Sequence, residues 1–248
     1  MDGRGLVLAH EGDTMEAGHQ VDSEFSAAER DGVYKCIHKR RDVRGQFLPD
    51  PIPDEILARI LGAAHHAPSV GFMQPWDFIV VRDAAVKRKV RDAFEVANGE
   101  AAAMFGGDRQ RTYRALKLQG IVEAPAGICV TCDRQRTGPA VIGRTHQPEM
   151  DLYSAVCAVQ NLWLAARAEN IGVGWVSILR PADLRDALGI PPSIRPIAYL
   201  CAGYVSHFLD KPELETAGWL PRTPLREVVW FDRWRGRSGA EPLLEHLR

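Results

Sequence analysis

The residues of this sequence best suited to chemistry lie in one short stretch, Arg40-Arg41-Asp42-Val43-Arg44. Its closely spaced guanidinium groups suit an anion with several oxygens, because each can place paired, charge-assisted hydrogen bonds on a phosphate. Asp42 either neutralises its arginine neighbours or acts as an acid–base group beside a bound molecule. Burial would raise the pKa of this carboxyl and the arginines would lower it, so the balance stays open. The competing interpretation is that the arginines complement the dipole at a helix end and face water.

Two further stretches carry polar side chains that could meet such a ligand. The loop from Pro68 to Trp76 offers the hydroxyl of Ser69 and the amide of Gln74, whose alternative role is ordinary loop capping. Ser177 is predicted to lie on a strand entered through a Gly-Val-Gly sequence, which lets another backbone or a ligand approach closely. Its hydroxyl can donate and accept, and its alternative role is a bond to a neighbouring strand.

Neither the cysteines nor the histidines predict a metal centre. Cys129 and Cys132 have the spacing of a metal or redox pair, but residues three apart on a strand face opposite sides of the sheet. We therefore expect both to be structural. His65 and His66 are adjacent on a predicted helix and face different directions, which makes them poor ligands.

Bulk composition narrows the class of protein. The chain has 248 residues, 46% of them hydrophobic, with 31 Lys and Arg against 32 Asp and Glu. This near-neutral balance does not favour nucleic acid or an anionic membrane as a partner. No apolar run approaches the ~20 residues of a membrane span, and the N-terminus does not resemble a secretion signal. The five cysteines are few and odd in number, which indicates reduced thiols and a cytoplasmic protein.

The elements that must position these residues alternate along the chain. A capping-box pattern at Ser26 and Glu29 begins the first helix, Pro53 suits a first helical position, and Asp151 is predicted to cap the longest helix. Helices are predicted over 26–40, 53–67, 84–98, 113–118, 151–170 and 181–188, and strands over 78–81, 126–131, 172–179 and 197–205. Long helices with a few short strands favour one α+β domain.

Three segments stand apart from this core. Residues 1–22 are predicted to form a flexible leader before a single domain over 23–248. Residues 99–120 are polar and rich in small residues, so we expect a lid, the alternative being a solvated surface insertion. Residues 212–236 form an aromatic-rich C-terminal arm that needs an apolar surface, and a partner subunit is expected to supply it.

The order of these motifs resembles the FMN-dependent nitroreductase superfamily over residues 26–232. The resemblance is carried by Arg-Arg-x-x-Arg after the first helix, Ala-Pro-Ser and Gln-Pro-Trp around one loop, Gly-x-Gly-Trp, and the Pro-Leu-rich arm. It implies an α+β nitroreductase-like fold with a central, mostly antiparallel sheet flanked by helices and an arm extending over the partner. It also implies a homodimer with flavin at the subunit interface.

Within the superfamily the sequence most resembles the flavin-destroying branch, the 5,6-dimethylbenzimidazole synthases. Conventional nitroreductases more often carry serine in the position of Asp42, so this residue discriminates between the branches. The supporting segments are Ala67-Pro68-Ser69-Val70-Gly71-Phe72-Met73-Gln74-Pro75-Trp76, Gly143-Arg144-Thr145-His146, Met150-Asp151-Leu152-Tyr153 and Val173-Gly174-Trp175-Val176-Ser177-Ile178. The implied reaction fragments reduced FMN (FMNH2) with molecular oxygen. It yields 5,6-dimethylbenzimidazole, the lower ligand of cobalamin (vitamin B12), and releases erythrose 4-phosphate.

The resemblance assigns the two catalytic positions to Asp42 and Ser177. A separate flavin reductase is expected to supply FMNH2. The residues expected to contact the flavin are Arg40, Arg41, Asp42, Val43, Arg44, Ser69, Gln74, Leu118, Ser177 and Arg222.

Two alternatives remain open at this stage. A conventional NAD(P)H-dependent FMN nitroreductase or flavin reductase would recycle its flavin and purify yellow. A non-enzymatic flavin-binding or corrinoid-pathway scaffold would tolerate loss of both Asp42 and Ser177.

Overall fold

The computed structural model describes residues 24–237 and 241–247, so the predicted leader lies outside the described residues. The helices are α1 (Ala27–Lys39), α2 (Asp54–His65), α3 (Ala84–Ala103), α4 (Gly107–Ala115), α5 (Met150–Ala168), α6 (Pro181–Leu188), α7 (Glu213–Thr216) and α8 (Glu241–Leu244). The strands are β1 (Trp76–Val81), β2 (Ala126–Asp133), β3 (Gly172–Val176) and β4 (Ile194–Gly203). Short 3-10 turns cover Val70–Phe72 and Leu225–Glu227.

The four strands form one antiparallel sheet in the order β1-β2-β4-β3. Helices cover both faces: α2 and α5 pack on one, and α3 and α6 pack on the other. Strand β2 is buried on both sides from Ala126 to Cys132, which explains its unbroken run of small and apolar residues. The predicted α+β class and antiparallel sheet are confirmed.

Local signals set several element ends as predicted. Ser26 and Glu29 form the capping box of α1, and the helix ends where Arg40 turns extended. Helix α6 spans Pro181–Leu188, and Gly189 follows it with a φ of 66°, a left-handed conformation that glycine adopts without strain. Cys129 and Cys132 enter the cores on opposite faces of the sheet. Burial raises the pKa of both thiols to about 12, so these side chains are unreactive packing groups.

Three predicted element positions were wrong. The helix expected over 113–118 is α4, over Gly107–Ala115; most of its residues are polar, so hydrophobic spacing carried little signal. Asp151 does not cap α5, because Glu149 occupies that position; Asp151 is the second residue of the helix and is fully buried. Strand β3 ends at Val176, so Ser177 lies in the segment after the strand instead of on it.

Candidate active site

The arginine-rich stretch leaves α1 and runs beside β3, which fixes the position of Asp42. Asp42 forms a parallel bridge with Val173, and the Val43 N–H donates to the Val173 carbonyl at 3.0 Å. A Cβ atom on Gly174 would lie 1.9 Å from the Val43 carbonyl oxygen, so only glycine permits this approach. The glycines of β3 therefore make room for the chain's own backbone. This is the close backbone approach that the Gly-Val-Gly sequence was expected to allow.

Asp42 is a part-buried carboxylate held at both oxygens. Oδ1 accepts a hydrogen bond from the Trp175 N–H at 2.9 Å, and Oδ2 is paired with the Arg44 guanidinium. Burial raises the pKa of Asp42 above its ordinary value of 3.8. Arg44, the Trp175 N–H and Arg40 offset part of this rise, whereas Glu213 adds to it. The sequence left open whether burial or the arginines would dominate the pKa of Asp42, and in the structure burial dominates.

Arg41 and Arg44 use their guanidinium groups within the fold. Arg41 donates to the carbonyls of His38 (2.9 Å) and Arg40 (2.7 Å), and also to that of Asp210. Arg41 thereby satisfies free carbonyl groups at the C-terminal end of α1. This agrees with the interpretation that the arginines complement a helix end. Arg44 is only 12% exposed and lies between Asp42 and Glu213.

Arg40 and Arg222 are the cations best placed to meet a ligand. The Arg40 guanidinium lies 4.7 Å from the centre of the Trp163 ring, which is a cation–π contact. Burial lowers the pKa of Arg40, Asp42 opposes this, and the charges of Arg41 and Arg222 lower it further. Two neighbouring cations that repel each other in this way are stabilised by a bound anion.

One cavity of about 1120 Å³ is lined by Arg40, Arg41, Asp42, Arg44 and Arg222. The first arm helix α7 and the segment 222–225 complete its wall. The volume suits a ligand of flavin mononucleotide size, since small-molecule sites span roughly 300–1,000 Å³. The donor set also fits FMN: Arg40 and Arg222 suit its phosphate dianion, and Asp42 offers a carboxylate in the same wall.

The loop that contains Ser69 and Gln74 does not line this cavity. The Gln74 N–H donates to the Ser69 hydroxyl at 3.1 Å, which is the loop-capping role. Gly71, Phe72 and Gln74 all have positive φ angles, between 44° and 57°. Non-glycine residues in this region carry backbone strain that surrounding contacts must hold.

The remaining predicted residues also lie outside the cavity wall. Val43 is buried between strands, and Leu118 packs against the core on the α3 side of the sheet. Ser177 is exposed directly after β3. One chain therefore unites Arg40, Arg41, Asp42, Arg44 and Arg222, but it does not bring Ser69, Gln74, Leu118 or Ser177 to them.

Sequence reasoning missed two contributors to the site and one buried carboxylate that does not line the cavity. Trp163 and Glu213 were not among the expected site residues, although both contact the arginine stretch. Asp151 is fully buried and accepts from Arg134 at 2.8 Å and Arg144 at 3.3 Å. The sequence signal that could have revealed this ion-paired carboxylate is the presence of Arg134 and Arg144 before Asp151 in the chain.

The fold and the site place the protein among known families. The profile described as the Nitroreductase family matches residues 37–204, and the chain belongs to that family. A solved oxidised iodotyrosine deiodinase, bound to FMN and 3-iodo-L-tyrosine, has a TM-score of 0.65 at 22% identity. The match covers 82% of this chain and all of that one. A nitroreductase family protein of Clostridium difficile 630 gives a TM-score of 0.59 at 20% identity, covering 81% and 98% of the two chains. At these identities the likeness shows the fold.

Within the family, two relatives carry the same enzyme name. The 5,6-dimethylbenzimidazole synthase of Rhodospirillum rubrum is 43% identical over 85% of this chain and 97% of that protein. A synthase of Rhodobacter capsulatus is 37% identical over 81% of this chain and 96% of its own length. The chain is thus an enzyme of the 5,6-dimethylbenzimidazole synthase type.

Proposed function

We propose that this enzyme fragments FMNH2 in an oxygen-dependent reaction to 5,6-dimethylbenzimidazole, releasing erythrose 4-phosphate. The observation that carries the proposal is the placement of Asp42. Its carboxylate, whose pKa is raised by burial, lies in the wall of a cavity that also presents the cations Arg40 and Arg222. A group able to exchange a proton beside a phosphate-binding pair suits a reaction that dismantles a phosphorylated flavin.

The chain's own residues divide the work of binding and proton transfer. Arg40, which contacts the Trp163 ring, and Arg222 bind the phosphate of the substrate. Asp42 moves a proton at its Oδ2 atom, while the Trp175 N–H keeps Oδ1 in place. The bound reduced flavin supplies the benzenoid ring and the ribityl C1 carbon of the product, with molecular oxygen as the oxidant.

A homodimer with flavin at the subunit interface forms part of the proposal. Apolar side chains remain exposed on α1 (Val33, Tyr34, Ile37) and on α5 (Tyr153, Val156). A contiguous apolar face of this kind favours burial against another protein surface. A second copy would also bring Ser69, Gln74, Leu118 and Ser177 of either subunit towards one flavin, with the arm over the partner. Ser177 would then present its hydroxyl to the ring, to steer oxygen or relay a proton.

The proposal includes a separate reductase that supplies FMNH2, and a cytoplasmic location. Within the described part of the chain, no helix is long and apolar enough to cross a membrane.

A conventional nitroreductase activity is the second candidate. A putative NADH dehydrogenase/NAD(P)H nitroreductase of Archaeoglobus fulgidus is 32% identical over 68% of this chain and 83% of its own length. This alternative predicts a yellow protein that oxidises NAD(P)H with retained FMN and forms no benzimidazole.

The deciding experiment is incubation of the purified protein with FMNH2 in air, followed by mass spectrometry for 5,6-dimethylbenzimidazole and erythrose 4-phosphate. We expect both products from the wild type. The Asp42→Asn variant should still bind flavin, since Arg40 and Arg222 remain, yet product formation should fall by about 100-fold or more, as expected on loss of a general acid–base. Recovery of intact oxidised FMN alone from the wild type would refute the proposed function. Normal product yield from Asp42→Asn would refute the role of Asp42.

A further inference from the structure

Arg44 lies between two carboxylates that come from distant parts of the chain. Its Nη2 atom pairs with Asp42, and its Nη1 atom lies 3.6 Å from Oε2 of Glu213, the first residue of α7. The Arg44 side chain is 12% exposed, so water screens these contacts only weakly. Within the described residues, the buried Oε2 of Glu213 accepts no hydrogen bond, so its interaction with Arg44 is electrostatic.

One guanidinium shared by two carboxylates neutralises neither completely. The charged groups acting on Asp42 are Arg40 and Arg44 from its own segment and Glu213 from α7. On the sheet side, the Cys201 thiol of β4 is close enough to have its own pKa raised in part by Asp42. Glu213 is the anion among these groups, and it opposes the effect of both arginines on Asp42.

The start of the arm is fixed to the same stretch by a second contact. Arg41 donates to the carbonyl of Asp210, three residues before Glu213. The position of Glu213 is therefore set by the arginine stretch itself, which makes the contact with Arg44 a built feature of the site.

We propose that Glu213 is a positioning residue of this site: it acts on Arg44 through the second guanidinium nitrogen, Nη1, and so sets how strongly Arg44 binds the Asp42 carboxylate. The negative charge of Glu213 offsets part of the positive charge of Arg44, which leaves Asp42 freer to exchange a proton with the substrate. The consequence for catalysis rests on the proposed function, whereas the coupling between Glu213 and Asp42 exists without it.

The first test is the pH profile of 5,6-dimethylbenzimidazole formation in the wild type, Glu213→Gln and Glu213→Asp. Loss of the Glu213 charge should lower the pKa of Asp42, so the limb of the profile due to Asp42 should move to lower pH by about half a unit or more in Glu213→Gln. Glu213→Asp keeps the charge and should return the limb towards the wild type. Glu227→Gln removes an exposed carboxylate elsewhere on the arm and should leave the profile unchanged. If the Glu213→Gln profile overlaid that of an active wild type, the inference would be wrong.

The second test needs no substrate and separates this inference from the proposed function. Because the pKa of Asp42 is raised in the folded state, folding stability should fall as pH rises from about 3.8 through the folded-state pKa. Urea unfolding across this range should show a smaller fall in Glu213→Gln, and Glu213→Gln should have no such effect in an Asp42→Asn background. An equal effect in both backgrounds would overturn the coupling. A wild type that forms no product would refute the proposed function alone.

Discussion

At the scale of single residues, neighbouring members of one charged stretch have different tasks. Arg41 serves carbonyl groups of the fold, Arg44 binds Asp42, and Arg40 lies on Trp163 facing the cavity. Side-chain type alone does not distinguish them, since all three carry the same guanidinium. Their partners do: within the described residues the guanidinium groups of Arg41 and Arg44 form hydrogen bonds, whereas that of Arg40 forms none.

The proposed role of Ser177 depends on a second subunit. Its exposure after β3 leaves the hydroxyl able to meet a flavin held at an interface. We expect Ser177→Ala to bind FMNH2 normally but to reoxidise it with release of hydrogen peroxide, lowering benzimidazole yield by about 10-fold or more. Peroxide and product are measured in the same aerobic reaction. Unchanged turnover and no added peroxide would contradict the assignment.

At the scale of elements, the contact between β3 and the segment 42–43 decides where the carboxylate lies. A Cβ on Gly174 would meet the Val43 carbonyl at 1.9 Å and lie 3.6 Å from Asp42 Oδ1. The backbone must move to admit this Cβ atom, and the Asp42 carboxyl moves with that backbone.

Gly174→Ala should therefore lose product formation and lower the free energy of unfolding by about 1–3 kcal/mol, the usual cost of overpacking. Urea unfolding and the product assay measure the two effects. Gly62→Ala is the matched control, because no atom lies within 4 Å of its Cβ position in α2. It should gain up to about 1 kcal/mol from helix propensity. Wild-type activity in Gly174→Ala would show that the contact is not needed.

The segment between β2 and α5 is held by the buried carboxylate of Asp151. Arg134 and Arg144 both donate to it, and Arg144 also donates to the Arg134 carbonyl at 2.7 Å. This segment also lies close to the strained loop after Ser69, because a Cβ atom on Gly71 would be only 2.6 Å from the Val141 side chain.

Asp151→Asn should lower the free energy of unfolding by about 2–3 kcal/mol. This is less than the 3–5 kcal/mol typical of a fully buried pair, because Arg134 can be rehydrated. The control is Asp108→Asn, whose ion pair with Arg111 is exposed and whose loss should cost under about 1 kcal/mol. Equal unfolding midpoints for the two variants would contradict this account.

At the scale of the whole molecule, the arm and the segment 99–120 pack together. Trp219 meets Phe105 edge-on, with 5.2 Å between ring centres, and Arg109 lies 4.7 Å from the Trp219 ring. Trp219 therefore finds an apolar surface within its own chain. If the segment 99–120 acts as a lid, the arm is the element that restrains it.

Trp219→Ala should make the segment 99–120 more sensitive to trypsin, which cleaves after arginines, since loss of the aromatic contacts frees the backbone. Mass spectrometry of the early fragments should show faster cleavage after Arg109, Arg111 or Arg114. Trp234→Ala is the control, because this residue is 77% exposed. Equal cleavage rates in both variants would mean that the arm does not restrain the segment.

The sequence by itself determined the features that depend on interactions between residues close together in the chain. The capping box placed the start of α1, the helix predicted over 181–188 is α6, and the two-residue period of β2 placed Cys129 and Cys132 on opposite faces. These signals act within a few residues, so they can be read along the chain. The density of guanidinium groups marked the site for the same reason.

Only the tertiary structure decided how the marked residues behave. The pKa of Asp42 depends on burial and on Trp175 and Glu213, which lie far along the chain. The purpose of Gly174 appears only when Val43 lies against it. Electrostatic energies and steric contacts depend on distances in space, and folding creates those distances between residues that the sequence keeps apart.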